Sequence, residues 1–228
     1  MTTTIDNHRV KENIKQAYDD IANKYLTWTE PTHKVRLTYL NRLLQNLETA
    51  TKATQATILE LGCGAGVPCT QHLASNPSFK ITANDISSSQ IELAKQTLPD
   101  SVTLIQCDMM GLEFKQESFD AVLAMYSIIH LPRDEQITIL TRIFGWLKPG
   151  GWILANFSEG EFDSSFDEAW LGGKKGVMYW SGWGKEKMRG ILGDVGFVVK
   201  VDEVVVDQEE VDGVQCDSAF QWVLARKV

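Results

Sequence analysis

Three closely spaced glycines are the residues of this sequence with the clearest chemical meaning. In ILELGCGAG an apolar run ends at Glu60, and Gly62, Gly64 and Gly66 follow within five residues. A glycine has no side chain, so its backbone can approach a bound molecule closely and can adopt left-handed conformations. A helix that follows such a turn adds partial positive charge at its N-terminus. The pattern therefore predicts that the backbone of this turn approaches a ligand.

One class of ligand for such a turn is a dinucleotide. Dinucleotide enzymes use the spacing G-x-G-x-x-G after a strand, with the pyrophosphate at the helix N-terminus. In this chain Val67 stands where the third glycine of that fingerprint belongs, and the observed spacing is G-x-G-x-G. A nicotinamide-dependent oxidoreductase therefore stays an alternative that the glycine spacing disfavours.

Four further motifs follow the glycines along the chain: ANDIS at 83–87, QCDMM at 106–110, FDAVLAMYSIIHL at 119–131 and LKPGGWIL at 147–154. Together with ILELGCGAG they resemble the motifs of class I S-adenosylmethionine-dependent methyltransferases. The resemblance covers about residues 55–157 and is weaker through the last strand. It implies a Rossmann-like methyltransferase fold with S-adenosylmethionine as cofactor. The implied activity is methyl transfer to O, N or S of a small organic molecule by in-line displacement.

The resemblance also assigns residues to parts of the cofactor. It places Asp85 on the ribose hydroxyls and Asp108 on the adenine amine. The chemistry agrees independently, because a ribose diol suits a carboxylate and the adenine amine is a hydrogen-bond donor. Asp85 lies 23 residues after Gly62, close to the roughly 20-residue offset of a ribose-binding acid after a glycine-rich turn. The other cofactor residues that the resemblance implies are Glu60, Cys63, Gly64, Gly66, Ile86, Met109, Ala124 and Met125.

Several of these residues also have structural interpretations. Asp85 suits the N-cap of the helix that follows it, and Asp108 suits a turn. Ile86 and Met109 suit either an adenine pocket or the core. Glu60 either steadies the glycine turn or reaches the amino acid end of the cofactor through water. These alternatives stay open at the level of the sequence.

Two residues after the fourth predicted strand are candidates for catalysis. Methyl transfer needs an acceptor held at attack distance, and it needs a general base only if the acceptor must lose a proton. His130 in YSIIHLP can accept a proton near neutral pH. Tyr126 precedes it and is expected to line the same pocket. The alternatives are a structural histidine before the next helix and a tyrosine of the core.

Aromatic residues outside the motifs predict further contacts. Tyr18 and Tyr25 are seven positions apart and so share one face of a helix, which by resemblance folds over the methionine end of the cofactor. The segment 159–184 has no regular period and is expected to be an irregular acceptor lid. Its candidate acceptor-binding residues, whose rings also suit a cationic amine, are Trp170, Tyr179, Trp180 and Trp183. Simple packing is the alternative for both aromatic groups.

The elements that must position these residues alternate between strands and helices. Five apolar runs between residues 57 and 158 are typical of strands, and helical periodicity separates most of them. This order predicts an α/β protein with a doubly wound, mostly parallel seven-stranded sheet, an antiparallel edge strand, N-terminal helices and an aromatic-rich cap. We expect one domain over 1–228, with a helical cap at 1–50, a cofactor-binding core at 55–158, a lid at 159–184 and a C-terminal helix with edge strands at 185–228.

Composition predicts how some of these elements are connected. KPGG at 148–151 is a turn signal between a helix and the fifth strand. The polar stretch ETATKATQA at 48–56 is expected to be a linker. The segments 198–210 and 218–228 are expected to pair as antiparallel strands at the sheet edge.

The bulk composition narrows the class of protein. The chain has 228 residues, 43% of them hydrophobic, and a net charge of −8. These values are typical of a globular protein and disfavour nucleic acid as the main partner. No apolar run approaches the roughly 18 to 20 residues of a membrane helix, and the N-terminus lacks the apolar core of a secretory signal. We therefore expect a cytoplasmic protein with a small-molecule acceptor and no membrane partner. The sequence does not specify the oligomeric state.

No metal site is expected. The four cysteines, Cys63, Cys69, Cys107 and Cys216, form no CxxC pair, and no histidine lies at zinc-finger spacing. Reduced, mostly buried thiols are the simplest interpretation, and a thiol cluster for a soft element is the alternative. AMYSIIHLP supplies no Asp or Asn ligands for metal-assisted O-methyl transfer. A non-catalytic protein that binds the cofactor is the third interpretation beside the methyltransferase and the oxidoreductase.

Overall fold

In the residues that the computed structural model describes, 6–50, 55–211 and 213–228, seven strands build the central sheet. These strands are β1 (Ala56–Leu61), β2 (Phe79–Asp85), β3 (Thr103–Gln106), β4 (Phe119–Ala124), β5 (Leu147–Ser158), β8 (Phe197–Val211) and β9 (Val214–Lys227). A separate hairpin is formed by β6 (Glu161–Asp167) and β7 (Met178–Trp183).

The order of the strands creates a crevice at one end of the sheet. The order is β3-β2-β1-β4-β5-β9-β8, in which β1 to β5 are parallel and β9 is antiparallel to both β5 and β8. The predicted doubly wound, mostly parallel sheet with antiparallel pairing at its C-terminal edge is therefore confirmed, with β8 as the edge strand itself. The order reverses between β1 and β4, and sheets of this kind bind ligands at the carboxyl ends of the strands beside such a reversal.

Six α-helices lie around the sheet in the described part of the chain: α1 (Asn7–Trp28), α2 (His33–Ala50), α3 (Cys69–Ala74), α4 (Ser88–Thr97), α5 (Arg133–Trp146) and α6 (Lys185–Val195). Asp6 caps α1, and Ser87 caps α4 by accepting the backbone N–H of Gln90. The linker predicted at 48–56 is helical as far as Ala50, and residues 51–54 lie outside the described residues. None of the described helices is long and apolar enough to cross a membrane.

Apolar residues pack on both faces of the sheet. Successive residues of a strand point to opposite faces, so Ile58 belongs to the cluster formed with α2 and α4, whereas Leu59 belongs to the cluster formed with α5 and α6. A third cluster joins α1 to the β6–β7 hairpin through Ile14, Leu171 and Met178. α1 and the hairpin therefore pack on each other as one unit above the crevice.

The segment 159–184 is a hairpin, so the expectation of irregular structure was wrong. β6 pairs antiparallel with β7, and Phe166 lies opposite Tyr179. The pairing shifts register between Phe162 and Ser165. This bulge breaks the alternation of apolar and polar residues by which a strand is recognised in a sequence. The role of the segment as a lid stays a prediction.

The predicted KPGG turn lies inside β5. Leu147 pairs with Phe119 and Trp152 pairs with Ala121, so residues 148–151 bulge out between two paired positions. Gly150 adopts a φ of 80° within this bulge, a conformation that glycine permits. The chain therefore makes its predicted bend without leaving the sheet.

Candidate functional site

The carboxyl ends of the central strands surround a cavity of about 620 Å³, here called the first cavity. Ile14, Tyr18 and Tyr25 of α1 form the wall opposite the sheet. The other predicted site residues that line it are Gly62, Gly64, Asp85, Ile86, Asp108, Met109, Tyr126 and His130. The fold thus brings residues from five separate segments of the chain to one place.

The glycine turn after β1 has the conformation that its sequence predicts. Gly62 and Gly64 adopt φ values of 70° and 55°, in the left-handed region that other residues rarely adopt. A Cβ on Gly62 would overlap the side chain of Ser127, so only glycine fits there. Gly66 does not line the first cavity. A Cβ at that position would lie 2.6 Å from Leu98 Cδ1, so Gly66 permits close packing of the turn on α4.

Asp85 connects the end of β2 to the glycine turn. The N–H of Gly64 donates to Asp85 Oδ2 over 2.9 Å, and the N–H of Ser87 donates to Oδ1 over 2.8 Å. Burial raises the pKa of this carboxyl to about 6. The carboxylate keeps acceptor capacity beyond these hydrogen bonds, which suits the hydroxyls of a ligand.

Asp108 is joined to α1 by a lysine. Its Oδ1 accepts the N–H of Met110 over 2.9 Å, and its Oδ2 lies 2.8 Å from the ammonium of Lys11. The same ammonium lies 3.0 Å from Glu135 Oε1 on α5. Lys11 itself lines the first cavity. This three-residue ion network therefore fastens α1 over the part of the cavity that holds Asp108.

His130 is held between Tyr18 and the hairpin. Its Nδ1 lies 2.8 Å from the carbonyl oxygen of Tyr179, and its Nε2 lies 2.9 Å from the Tyr18 hydroxyl. A carbonyl only accepts, so the Nδ1 carries the proton and the Nε2 accepts the tyrosine hydrogen. Burial lowers the pKa of His130 to about 4. His130 is therefore neutral near pH 7, and its basic nitrogen is already occupied by the Tyr18 hydroxyl, so its role as a base stays a prediction.

The depressed pKa of His130 predicts a specific dependence of stability on pH. The unfolded imidazole has its ordinary pKa near 6.5, so between that pH and about 4 only the unfolded chain takes up the proton. Stability from this group is present above pH 6.5 and falls by about 1.4 kcal/mol per pH unit below it. Urea unfolding at pH 7.5 and 5.5 should show this loss in the wild type. His130→Gln should lack that contribution, whereas the exposed His72→Gln should keep it; equal pH dependence in both variants would contradict the assignment.

A second cavity, of about 1250 Å³, opens on the other side of the same residues. It shares Tyr18, Tyr25, Tyr126 and His130 with the first cavity. Its other aromatic walls are Trp28, Phe162, Trp170, Trp180 and Phe220. The two cavities therefore meet at a passage lined by three tyrosines and one histidine.

Two of the predicted acceptor residues lie elsewhere. Strand residues alternate between faces, so Trp180 faces the second cavity whereas Tyr179 and Trp183 point away from it. The indole N–H of Trp183 donates to the carbonyl of Arg133 over 3.1 Å, and the Arg133 guanidinium lies 4.7 Å from the Trp183 ring centre. The ring of Tyr179 is buried under the hairpin. The expectation that both rings line the acceptor site was therefore wrong.

Four predicted cofactor residues lie behind the first cavity. Ala124 and Met125 are buried in the sheet and do not line it. Glu60 accepts the hydroxyl of Thr70 over 2.6 Å, and burial raises its pKa to about 7. Glu60 thus steadies the glycine turn against α3. Cys63 lines a smaller cavity, of about 300 Å³, at the outer side of the same turn.

Three residues that sequence reasoning missed complete the site. Gln90 lies beside the glycine turn, lines both the first and the smaller cavity, and neither polar atom of its buried amide has a partner. The buried Ser127 hydroxyl also lacks a partner. Buried polar atoms are normally hydrogen-bonded, so these atoms indicate a polar ligand. No sequence signal distinguishes Gln90 or Ser127 from ordinary helix and turn residues.

Arg36 of α2 is the third missed residue. Its guanidinium lies 4.2 Å from the ring centre of Tyr126, and its Nε donates to Thr32 Oγ1 over 2.9 Å. It lines both the smaller cavity and the second cavity. Among the described residues no carboxylate forms an ion pair with it. A half-buried cation without a counter-ion favours an anionic ligand group.

The described residues include no group of three or more His, Cys, Asp or Glu that could hold a metal ion. Cys63 and Cys69 are buried, Cys107 is half-buried and Cys216 is exposed, and all four are free thiols. Burial raises the pKa of Cys63 and of Cys69. Both thiols are therefore protonated near neutral pH in the metal-free protein.

Comparison with known proteins finds a family match over part of the chain. Residues 58–151 match the family profile of the methyltransferase domain. The demethylmenaquinone methyltransferase of Lactococcus lactis is 35% identical over 107 residues, which cover 44% of this chain and 41% of that protein. The chain spans well under two thirds of the length of curated relatives that it matches, with 41% and 42% in two of them.

Solved structures share the fold over most of the chain. DhpI, in complex with S-adenosylhomocysteine, has a TM-score of 0.70 at 19% identity, and the match covers 96% of this chain and 98% of that chain. The 1,6-didemethyltoxoflavin-N1-methyltransferase of Burkholderia thailandensis, with 1,6-didemethyltoxoflavin and S-adenosylhomocysteine bound, has a TM-score of 0.62 at 15% identity, and the match covers 100% of this chain and 93% of that chain. The profile match over residues 58–151, the ordered motifs and the cavity shared by the glycine turn, Asp85 and Asp108 support a class I S-adenosylmethionine-dependent methyltransferase domain in this chain.

Proposed function

We propose that the first cavity binds S-adenosylmethionine and that the protein transfers the methyl group to O, N or S of a small organic molecule in the second cavity. The observation that carries this proposal is the meeting of the glycine turn, Asp85 and the unpartnered Gln90 amide in one cavity. The ligand groups that would complete these contacts are hydroxyls and a polar amino acid end, and S-adenosylmethionine carries both.

In this proposal the adenosine part lies along the ends of β2 and β3. Asp85 accepts the ribose hydroxyls with the acceptor capacity that remains beside its backbone hydrogen bonds. Asp108 accepts the adenine amine, while Lys11 fixes the direction of its carboxylate. Ile86 and Met109 line the same cavity and supply apolar surface for the purine ring.

The amino acid end of the cofactor lies between α2 and the glycine turn. Arg36 supplies a cation for its carboxylate, because a guanidinium pairs with a carboxylate through two parallel hydrogen bonds. Gln90 supplies both donors and acceptors at the same place. This placement gives each unpartnered group of the smaller cavity a ligand partner.

The residues at the passage between the cavities control methyl transfer. Bound S-adenosylmethionine supplies an electrophilic methyl group on a sulfonium with a good leaving group. The chain contributes position and exclusion of water. Tyr18 donates its hydrogen to His130, so the lone pairs of its oxygen are free to accept a hydrogen bond from the acceptor and orient it.

The proposal also includes the class of acceptor and the cellular location of the protein. The second cavity is enclosed by α1, the β6–β7 hairpin and the tip of the β8–β9 hairpin, and this enclosure suits a small molecule. The net charge of −8 disfavours a nucleic acid acceptor. We extend the proposal to a cytoplasmic protein that modifies a metabolite.

Transfer of a labelled methyl group tests this function directly. The protein is incubated with methyl-labelled S-adenosylmethionine and a panel of small-molecule alcohols, amines and thiols. We expect a labelled product with the wild type and less product with Asp85→Asn at a cofactor concentration that does not saturate the variant. Cofactor binding without a product from any class would favour the non-catalytic interpretation. Binding of NADH in place of S-adenosylhomocysteine would favour the oxidoreductase.

Replacing Lys11 with methionine should speed the release of S-adenosylhomocysteine. The change removes the ion pairs that fasten α1 to Asp108 and Glu135, so α1 opens more easily above the ligand. A partly exposed ion pair contributes up to about 1 kcal/mol, which corresponds to about fivefold in rate. Stopped-flow displacement measures this rate.

Lys15→Met is the matched control for Lys11→Met. Lys15 lies on the same helix, but it pairs with Asp19 of its own helix over 2.6 Å. Its replacement should leave the release rate unchanged. Equal release rates in both variants would contradict the role of Lys11 in holding α1 over the first cavity.

A further inference from the structure

The second cavity combines acidic and aromatic walls in a way that selects one class of acceptor. We propose that it binds a small molecule with a flat apolar body and a cationic amine. This inference rests on the methyltransferase function proposed above, and it narrows the acceptor from any small molecule to a basic one.

Two carboxylates line this cavity, Asp167 at the end of β6 and Glu209 on β8. Glu209 is half-buried, and the hydrogen bond described for its carboxylate comes from the Ser218 hydroxyl over 2.8 Å. Among the described residues no lysine or arginine forms an ion pair with either acid. Burial raises the pKa of the Glu209 carboxyl, which shows that its charge lacks sufficient stabilisation from the protein. A bound cation would supply that stabilisation.

A third acid, Asp207, lies on β8 and is more deeply buried than Glu209. Asp207 is two positions before Glu209, so both side chains lie on one face of β8. The hydroxyl of Tyr126 donates to Asp207 Oδ2 over 2.6 Å, and the Tyr126 ring lines the cavity. Across the hairpin, Ser218 is the register partner of Asp207. The wall formed by β8 and β9 therefore carries negative charge both at the surface of the cavity and behind it.

Arg36 does not offset these acids for an acceptor. It is the one lysine or arginine among the described residues that line the cavity, and His130 is neutral. Under the proposed function Arg36 pairs with the carboxylate of the cofactor. With S-adenosylhomocysteine bound, whose sulfur is uncharged, the charges left for the acceptor are those of Asp167 and Glu209, so an acceptor with a carboxylate or phosphate would be repelled.

Aromatic rings supply the rest of the surface. The Trp170 ring is in contact with four others, at centroid distances of 5.3 Å to Trp28, 5.8 Å to Tyr25, 5.6 Å to Trp180 and 6.0 Å to Tyr18. Rings packed in this way form a rigid wall, against which a flat apolar body packs well. The face of an indole or phenol also attracts a cation. The aromatic wall and the acids thus favour the same kind of molecule.

Matched sets of ligands test the charge preference. Titration calorimetry is performed on the protein saturated with S-adenosylhomocysteine. The probes are tryptamine, tryptophol and indole-3-acetate, and the corresponding amine, alcohol and acetate of phenyl and 1-naphthyl bodies. We expect the amine to bind at least tenfold more tightly than the alcohol in one or more sets, and the acetate to bind most weakly.

Two neighbouring acids provide the variant and its control. Glu209→Gln should reduce the amine preference, because it removes one of the two carboxylates of the cavity that lack an ion-pair partner among the described residues. Glu210→Gln should keep the preference, because Glu210 is exposed on the other face of β8. The inference is overturned if amine and alcohol bind equally, if the acetate binds best, if no probe binds, or if Glu209→Gln keeps the preference. In those cases the binding of S-adenosylhomocysteine still supports the proposed function, whereas its absence would overturn both.

Discussion

The variant Asp85→Asn should bind S-adenosylhomocysteine more weakly than the wild type by about 1 to 3 kcal/mol, because charge-assisted hydrogen bonds to buried hydroxyls are replaced by neutral ones. Asparagine keeps the shape of the side chain at the end of β2. Calorimetric titration at pH 8 measures the loss. Asp100→Asn is the control, because Asp100 is exposed in a turn outside the cavity, and its affinity should equal that of the wild type.

The raised pKa of Asp85 also predicts how the affinity for S-adenosylhomocysteine depends on pH. Binding needs the carboxylate, and burial raises its pKa to about 6. The affinity of the wild type should therefore be constant well above pH 6 and should fall by about tenfold per pH unit below it. The affinity of Asp85→Asn should lack this fall. A wild-type-like affinity in the variant, or an identical pH profile, would contradict the assignment of the ribose site.

Arg36→Met should weaken the binding of S-adenosylhomocysteine by a similar amount, about 1.5 to 3 kcal/mol, because a hydrogen-bonded charge pair with the ligand carboxylate is lost. The methionine keeps the apolar length of the side chain, so packing against Tyr126 is largely preserved. Calorimetric titration again measures the change. 5′-Methylthioadenosine has no amino acid end, so its affinity should be the same in the variant and in the wild type.

Arg42→Met is the matched control on the same helix. Arg42 also lies over a tyrosine ring, 4.8 Å from the ring centre of Tyr39, but it is exposed and pairs with Glu203. Its replacement should not change either affinity. A loss of 5′-methylthioadenosine binding in Arg36→Met would mean that the residue supports the cavity as a whole, and an unchanged S-adenosylhomocysteine affinity would remove Arg36 from the site.

The parts of the fold that follow from local pattern were predictable from the sequence. β4 is buried on both faces, so its residues form a continuous apolar run that indicates a parallel strand. β6 was not predictable, because the bulge between Phe162 and Ser165 breaks its alternation. The partner strand β7 was missed with it. Without β7 the sequence gives no alternation between Trp180 and Trp183, so both rings were expected in the acceptor site.

The site shows the same division between local and distant information. Gly62, Asp85 and Asp108 follow strands directly, and the sheet brings strand ends together, so their positions are encoded locally. Arg36 and Gln90 reach the glycine turn only because α2 and α4 pack beside it. Such contacts depend on tertiary packing, which no single motif specifies. His130 was recognised from its motif, but its hydrogen bonds to Tyr18 and to the hairpin come from the tertiary fold.

The most direct test of this account is a calorimetric titration of the wild-type protein with S-adenosylhomocysteine, with NADH as the comparison ligand. The glycine turn, Asp85, Arg36 and Gln90 predict binding at one site with a Kd in the micromolar range or below, about −8 kcal/mol or more favourable, and no binding of NADH. The absence of S-adenosylhomocysteine binding at millimolar concentration would contradict the central claim that the first cavity is a methyl-donor site.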